Sequence, residues 1–241
     1  MEINRIVRYA SIATKVWNKF DVNKQMELSK YFRIRPTNSG ITLVSILSEA
    51  PMRGRTKICT ENKLEDILKN ILDNISILSS DDGDTIKRFL TQCLTMKDRK
   101  NPNPELEECV QAAMIRAMDC HPDLIRIYNA KVTYVASEFI FDKGKNKIDI
   151  IGINEATKNL IFFELKKERK KYSDQLQDYI TYYKKNRNIL SNILKEYPIN
   201  SVPHFHDIEG AMVMKEAERD LRVSVLPYDG GKDGFHFGRT H

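Results

Sequence analysis

Lys147-Ile148-Asp149-Ile150-Ile151 and Ile161-Phe162-Phe163-Glu164-Leu165-Lys166 decide the reading of this chain, and fourteen residues separate Asp149 from Glu164. Each stretch is an apolar, β-branched or aromatic run of strand length with a single carboxylate set into it. An acid in such a run is costly to bury unless it is paired or bound to a cation. Strand side chains alternate, so Lys166 returns to the side of Glu164, while Leu165 faces the other way with its carbonyl free to aim at the same ion. Asp149, Glu164 and the Leu165 carbonyl form an oxygen set suited to Mg²⁺, with Mn²⁺ as its substitute, because Mg²⁺ keeps several waters and needs few protein ligands. The Lys166 ammonium can orient a water or stabilise charge developing on phosphate. That combination points to phosphodiester hydrolysis. The plain alternative is a buried salt bridge of Lys166 with Asp149 or Glu164.

Working outward, Lys131 to Phe141, Lys147 to Ile153 and Asn159 to Leu165 read as three strands. Asp142 to Asn146 and Asn154 to Lys158 are turn-like connectors, which predicts a meander. Before it, Glu105 to Met118 is an amphipathic helix with Leu106, Cys109, Val110, Ala113 and Ala117 on one face. After it come a helix from about Ser173 to Lys195, a strand over Ile208 to Met214, a helical turn over Lys215 to Asp220 and a strand over Arg222 to Leu226. The order is α-β-β-β-α-β-α-β, an α/β arrangement.

Asp149-x14-Glu164-Leu165-Lys166 resembles the catalytic core of the PD-(D/E)XK nuclease superfamily, with Ile148 where the family pattern has proline. Gln175 and Tyr179, one turn apart on one helix face, resemble the Q-x-x-x-Y motif of its RecB-type branch. The likeness is nearest to archaeal-type structure-specific and mismatch endonucleases, and covers about residues 105 to 228. It implies a restriction-endonuclease-like αβββαβ core, metal binding by Asp149 and Glu164, and a supporting or DNA-contacting role for Gln175 and Tyr179. Gln177 is the other candidate glutamine, but the tyrosine spacing favours Gln175. The family often adds a Glu from the first core helix. Glu105, Glu107 and Glu108 are candidates, and Glu107 is favoured because it flanks the apolar stripe. Lys167, Arg169, Lys170 and Lys171 follow the motif as a basic run, read as phosphate contacts against the alternative of a solvated loop.

The remaining hundred residues read differently. Ile3 to Phe20, Asn23 to Phe32, Thr85 to Leu94 with Asp84 as its cap, and the stripe Leu64, Ile67, Leu68, Ile71, Leu72 predict a mostly helical domain over residues 1–100. Arg33 to Pro36 and Pro51 to Arg55 read as basic loops, with Arg53, Arg55 and Lys57 as candidate backbone contacts to nucleic acid. Gly40 to Ile46 reads as a strand or a helix start. The boundary is placed at Lys97 to Pro104, where charge gives way to Pro and Asn. The nuclease-like domain then spans 101–228, and 229–241 is a Gly- and His-rich flexible tail. Trp17, Tyr182 and Tyr183 are expected to pack in cores, and His204 and His206 to lie on a surface loop rather than bind metal.

Composition sets the outer bounds. The chain has 241 residues, 41% hydrophobic and 30% charged, with a formal net charge of +6. It can bury a core, and its mild basic excess permits a polyanionic partner. No apolar run approaches the length of a membrane span. The first residues lack a signal-peptide core, and the four cysteines form no C-x-x-C pair, which together predict reduced thiols and a cytoplasmic setting. The expectation is a Mg²⁺-dependent deoxyribonuclease, endonuclease before exonuclease, in restriction, repair or defence. A homodimer would follow from double-strand cutting, since one site cuts one strand at a time. The alternatives are a catalytically silent nuclease-fold protein that binds nucleic acid or supports an assembly, and a helical regulator with a basic N-terminal region.

Overall fold

The computed structural model describes residues 2–45, 52–53, 57–76, 107–120, 126–127, 130–141, 146–166, 172–197, 202, 204–215, 224–231 and 234–237. Helix α1 (Glu2–Trp17) serves two apolar cores. Its Ile6 and Ala10 belong to one cluster, and its Ala13, Val16 and Trp17, further along the helix, to another. The N-terminal segment thus packs on the larger sheet described below through α1, although the expected boundary at residues 97–104 lies outside the described residues.

Around the second core lie α2 (Val22–Ser29), an antiparallel sheet of β1 (Phe32–Thr37), β2 (Gly40–Ser45) and β3 (Met52–Arg53), and α3 (Glu61–Ile75). Local chemistry starts the helices. The Asp21 carboxylate accepts from the Lys24 amide at 3.0 Å, and Thr60 caps α3. Leu64, Leu68, Ile71 and Ile75 of α3 bury against Phe32, Ile34, Ile41 and Leu43 of the sheet. The basic stretch Arg33 to Pro36, expected to be a loop, is the buried strand β1. Its charges are consumed inside the protein. The Arg33 guanidinium donates to the carbonyls of Ser29 and Phe32, and Arg35 donates to Ser137 Oγ through Nε at 3.0 Å and Nη2 at 2.7 Å. Pro36 is tolerated because β1 is an edge strand. Gly40 to Ser45 is a strand, and Met52–Arg53 pairs with it instead of looping out. The helix expected over Thr85 to Leu94, and Arg55, lie outside the described residues.

The second half begins with α4 (Glu107–Cys120), followed by β4 (Arg126–Ile127), β5 (Ala130–Phe141), β6 (Asn146–Asn154) and β7 (Leu160–Leu165). These last three form the predicted meander, antiparallel throughout. The β6–β7 turn is built by Asn154, whose Oδ1 accepts from the amides of Ala156 and Thr157 at 2.9 and 3.1 Å. Then come α5 (Tyr172–Lys185), α6 (Arg187–Leu194), β8 (Ile208–Met214), β9 (Ser224–Gly231) and β10 (Gly234–Phe237). The seven strands lie in the order β10-β9-β8-β7-β6-β5-β4, with β7, β8 and β9 parallel. The result is a mixed α/β fold.

Two differences from the sequence reading concern the flanks of this sheet. The helix expected over Ser173 to Lys195 breaks at Asn186, whose side-chain amide and main-chain amide both donate to the Tyr182 carbonyl at 2.9 Å. The tail from residue 229, expected to be loose, forms the β9–β10 hairpin up to Phe237. Phe237 is buried, its ring 6.2 Å from that of Tyr228, so one aromatic anchors what looked like a Gly-rich end. The turn expected over Lys215 to Asp220 falls almost wholly outside the described residues.

Strand alternation sorts the core onto two faces. Phe162, Ile151 and Met212 pack with Leu176, Tyr179, Ile180 and Tyr183 of α5. Ile161, Phe163, Leu165 and Val213 pack with Val110, Ala113 and Met114 of α4. Tyr183 is in this core and Trp17 in the N-terminal one, as expected. Gly210 sets how closely α5 approaches the sheet: a Cβ there would stand 2.7 Å from Ile180 Cδ1 and 3.0 Å from Leu176 Cδ2. Both side chains are buried, so neither has room to withdraw. Gly210→Ala is expected to cost about 1–3 kcal/mol by overpacking. Urea titration checks this, and an unchanged midpoint would show that α5 is free to shift.

Candidate active site

The β6–β7 ladder runs from Ile153↔Leu160 to Ile150↔Phe163 and goes no further. One residue beyond, Asp149 and Glu164 stand at the point where the strands part. Asp149 Oδ2 accepts from the Leu165 amide at 2.8 Å, a side chain taking the place of a ladder carbonyl. On its other side β7 stays paired to β8 as far as Leu165↔Val213, and the Lys166 amide donates to the Val213 carbonyl at 3.1 Å. Glu164 and Lys166 are therefore held on a rigid frame. Their side chains meet, Lys166 Nζ lying 2.8 Å from Glu164 Oε1. Glu164 is only 2% exposed, and its Oε2 is buried with no hydrogen-bond partner.

The electrostatics follow from this crowding. Burial first, and then the charge of Asp149, push the Glu164 carboxyl up to about 7, against the pull of Lys166. Burial likewise pushes Asp149 up to about 6, despite the Leu165 amide and Lys166. Burial pulls the Lys166 ammonium down, but the carboxylates of Glu164, Asp149 and Glu107 outweigh it and hold the lysine above its ordinary range. The ion pair named above as the plain alternative does form. It leaves a second, half-buried carboxylate beside it and an acceptor oxygen of Glu164 unused.

Glu107, exposed on the first turn of α4, adds its field to both Glu164 and Lys166. Glu105 lies outside the described residues, as do Lys167, Arg169, Lys170 and Lys171. Gln175 Nε2 donates to the Tyr179 hydroxyl on α5, and Tyr179, buried, lies in the fields of Glu164, Lys166 and Asp149. Gln177 is exposed on the same helix. Leu165 points into the opposite core, as strand alternation requires. The two histidines are exposed, and His206 Nδ1 pairs with the Thr157 carbonyl.

Two residues at this site were not singled out in the sequence. Gln111 is buried on α4, and its Nε2 donates to Glu138 Oε1 and to the Asp149 carbonyl, both at 3.0 Å. Glu138 lies on β5 opposite Asp149, also takes a hydrogen bond from Lys147 Nζ, and has φ of 53°. Gln111 stands one turn after Glu107, a spacing visible in sequence. A positive φ at a glutamate is not visible there, because nothing in that residue type favours it.

No family model, curated protein or solved structure matches the chain. Among the described residues no three His, Cys, Asp or Glu side chains gather closely enough to hold a metal by themselves. No helix among them is long and apolar enough to cross a membrane. The site offers two carboxylates, a lysine and main-chain carbonyls, and its chemistry is read from those.

Proposed function

We propose that the chain is a metal-dependent nuclease of PD-(D/E)XK type that hydrolyses phosphodiester bonds in DNA. One observation carries this reading: half-buried Asp149 and buried Glu164 stand side by side where β6 and β7 part, with an unused oxygen on Glu164 and Lys166 against the other. The succession α4, β5 to β7, α5 and β8, with the short β4 and α6 set into it, is compatible with an αβββαβ core and supports the reading, as does the Gln175–Tyr179 pair beside the acids.

The donor set fits a hard divalent cation. The two carboxylates, Glu164 buried and Asp149 half-buried, repel each other, and a cation relieves both that repulsion and the unfilled acceptor of Glu164. Asp149, Glu164 and the Leu165 carbonyl would hold Mg²⁺, or Mn²⁺ in its place. A set of two carboxylates and a carbonyl is enough for an ion that keeps most of its waters, so a third acid is not required. When bound, such an ion supplies a water of lowered pKa and a counter-charge for phosphate.

The protein's own groups do the rest. Asp149, tied by Oδ2 to the Leu165 amide, is fixed in orientation before any ligand arrives. Lys166 remains protonated, so its ammonium stabilises charge on the phosphate or directs the water and does not take up a proton itself. Glu107 adds negative charge on the solvent side, where a cation enters.

The test is cleavage of plasmid, linear and branched DNA, and of RNA, with Mg²⁺, Mn²⁺ or EDTA. Wild type is expected to cut with metal and not with EDTA. Asp149→Ala and Lys166→Ala are each expected to lose about two to three orders of magnitude. Cutting that survives in both variants overturns the reading. DNA binding without cutting under every metal would leave a silent nuclease fold.

A further inference from the structure

Glu138 breaks a local rule that its neighbours keep. At φ 53° it occupies the left-handed region, where a residue with a side chain is strained and glycine is not. Between Tyr134 and Ala136 the β5–β6 pairing shifts by a bulge, and regular register returns on either side of Glu138 at Ser137↔Ile150 and Phe139↔Ile148. The strained residue is thus the one directly across from Asp149. Ordinary sheet packing does not ask for glutamate there.

Its carboxylate is held from three directions. Gln111 of α4 donates to Oε1 at 3.0 Å, Lys147 of β6 donates to Oε2, and the charge of Arg35 reaches it from the N-terminal sheet. Despite the cost of burial these partners keep Glu138 ionised, below the ordinary carboxylate range. Arg35 also grips Ser137, the residue before Glu138, and Ser137 Oγ lies 3.0 Å from the Tyr134 hydroxyl. Polar contacts therefore join β1 to the bulged part of β5, and the next residue of that strand, half-buried Glu138, joins it to α4.

Gln111 completes it. A primary amide has two N–H groups, and Gln111 directs both inward, one to Glu138 and one to the main-chain carbonyl of Asp149. That amide locks the rotation of α4 about its axis. Glu107, four residues earlier, lies on the same helix face and so takes its position from the same lock.

We infer that Glu138 and Gln111 are positioning residues of the metal-binding site, a clamp that fixes the main chain of Asp149 against the turn of α4 that carries Glu107. The inference rests on the nuclease reading. Neither residue touches the substrate or the reacting atoms; both act through Asp149 and through the helix they hold against it. Groups of this kind typically govern metal affinity or activity by about 10- to 100-fold. The clamp also explains why the N-terminal sheet is built onto the catalytic half through Arg35.

The experiment uses the full chain and Mn²⁺ alone, by titration calorimetry, with DNA cleavage as a second readout. Glu138→Gly removes the carboxylate and relieves the strained φ, so it is expected to fold with a melting temperature at or near that of wild type. Gln111→Met keeps the volume of the side chain and removes both donors. Each is expected to weaken Mn²⁺ binding about 10- to 100-fold and to lower kcat while KM for DNA stays within about threefold. Raising Mn²⁺ should restore part of the lost rate, which a merely structural defect would not allow. If wild type binds Mn²⁺ and both variants bind it equally well, the clamp is overturned and the nuclease reading stands. If wild type neither binds Mn²⁺ nor cuts DNA, the nuclease reading falls and the clamp falls with it.

Discussion

Glu164→Gln is expected to abolish cleavage, by about three orders of magnitude, and to leave the metal-free protein at least as stable as wild type near pH 8. The first half follows from ligand chemistry: a carboxamide is a poorer ligand for a hard cation, and the several kcal/mol that the ion supplies to the transition state convert to that factor. The second half follows from geometry. In wild type at alkaline pH, buried Glu164 and half-buried Asp149 are both charged, and Lys166 is paired to Glu164. Replacing one charge with a neutral amide of the same shape removes their repulsion and the larger part of the burial cost. Lys166 loses an ion-pair partner, yet it remains in the field of Asp149. The net expectation at pH 8 is a gain of about 1–3 kcal/mol, the usual trade between stability and function at a strained site. Calorimetric melting without metal, beside a gel assay with Mg²⁺, checks both halves at once. A variant that still cuts within tenfold of wild type, or that melts well below it, would mean that Glu164 is a structural ion-pair partner and not a ligand.

How much of this was readable beforehand differs by element. The meander and the strand over Ile208 to Met214 are legible because their apolar runs are strand-length, and the Asn154 turn because its side-chain oxygen builds it; the parallel pairing of β8 with β7 is not. Asp149, Glu164 and Lys166 stood out for a related reason: charge inside an apolar strand is conspicuous. β1 was misread because Arg33 and Arg35 look solvated in sequence, whereas their partners, Ser29 and Ser137, lie four and 102 residues away. The β9–β10 hairpin is not legible in the sequence because Phe237, which is buried against Tyr228, sits among glycines. Gln111 carries only a weak sequence signal, its spacing from Glu107, and Glu138 carries none, because their partners lie on other elements and the Glu138 backbone angle is not written in its residue type. The local pattern picks out charges set into apolar strands. It does not pick out residues whose contacts cross elements.

The metal-free protein is expected to lose stability as pH rises from about 4 to 7, and a divalent cation is expected to restore it. In the unfolded chain Asp149 and Glu164 titrate at their ordinary values of 3.8 and 4.5, whereas in the folded protein they are raised to about 6 and about 7. Between those limits the folded state holds protons that the unfolded state has already released. Stability is therefore fully present at the acid end of this window and declines as pH climbs through the folded values. With the two groups facing each other, the loss is about 2–4 kcal/mol, which for a chain of this size is a fall in melting temperature of roughly 5–12 °C. The ion-paired acids Glu138 and Glu155 are held below the ordinary carboxylate range, so their stabilisation disappears only at more acid pH. They shape the acid limb and not this one. A cation competes with the same protons, so its effect has the opposite pH dependence. At about 100 times its Kd it adds about 2.7 kcal/mol, fully near pH 8 and weakly near pH 5, where the carboxyls are protonated. Melting curves at several pH values, with Mn²⁺ or with EDTA, measure both slopes. Asp149→Asn should flatten the metal-free slope and remove the Mn²⁺ effect together, because one carboxylate pair produces both. A slope that persists in Asp149→Asn would place its origin in other groups, and a Mn²⁺ shift that persists would move the cation away from the parting of β6 and β7.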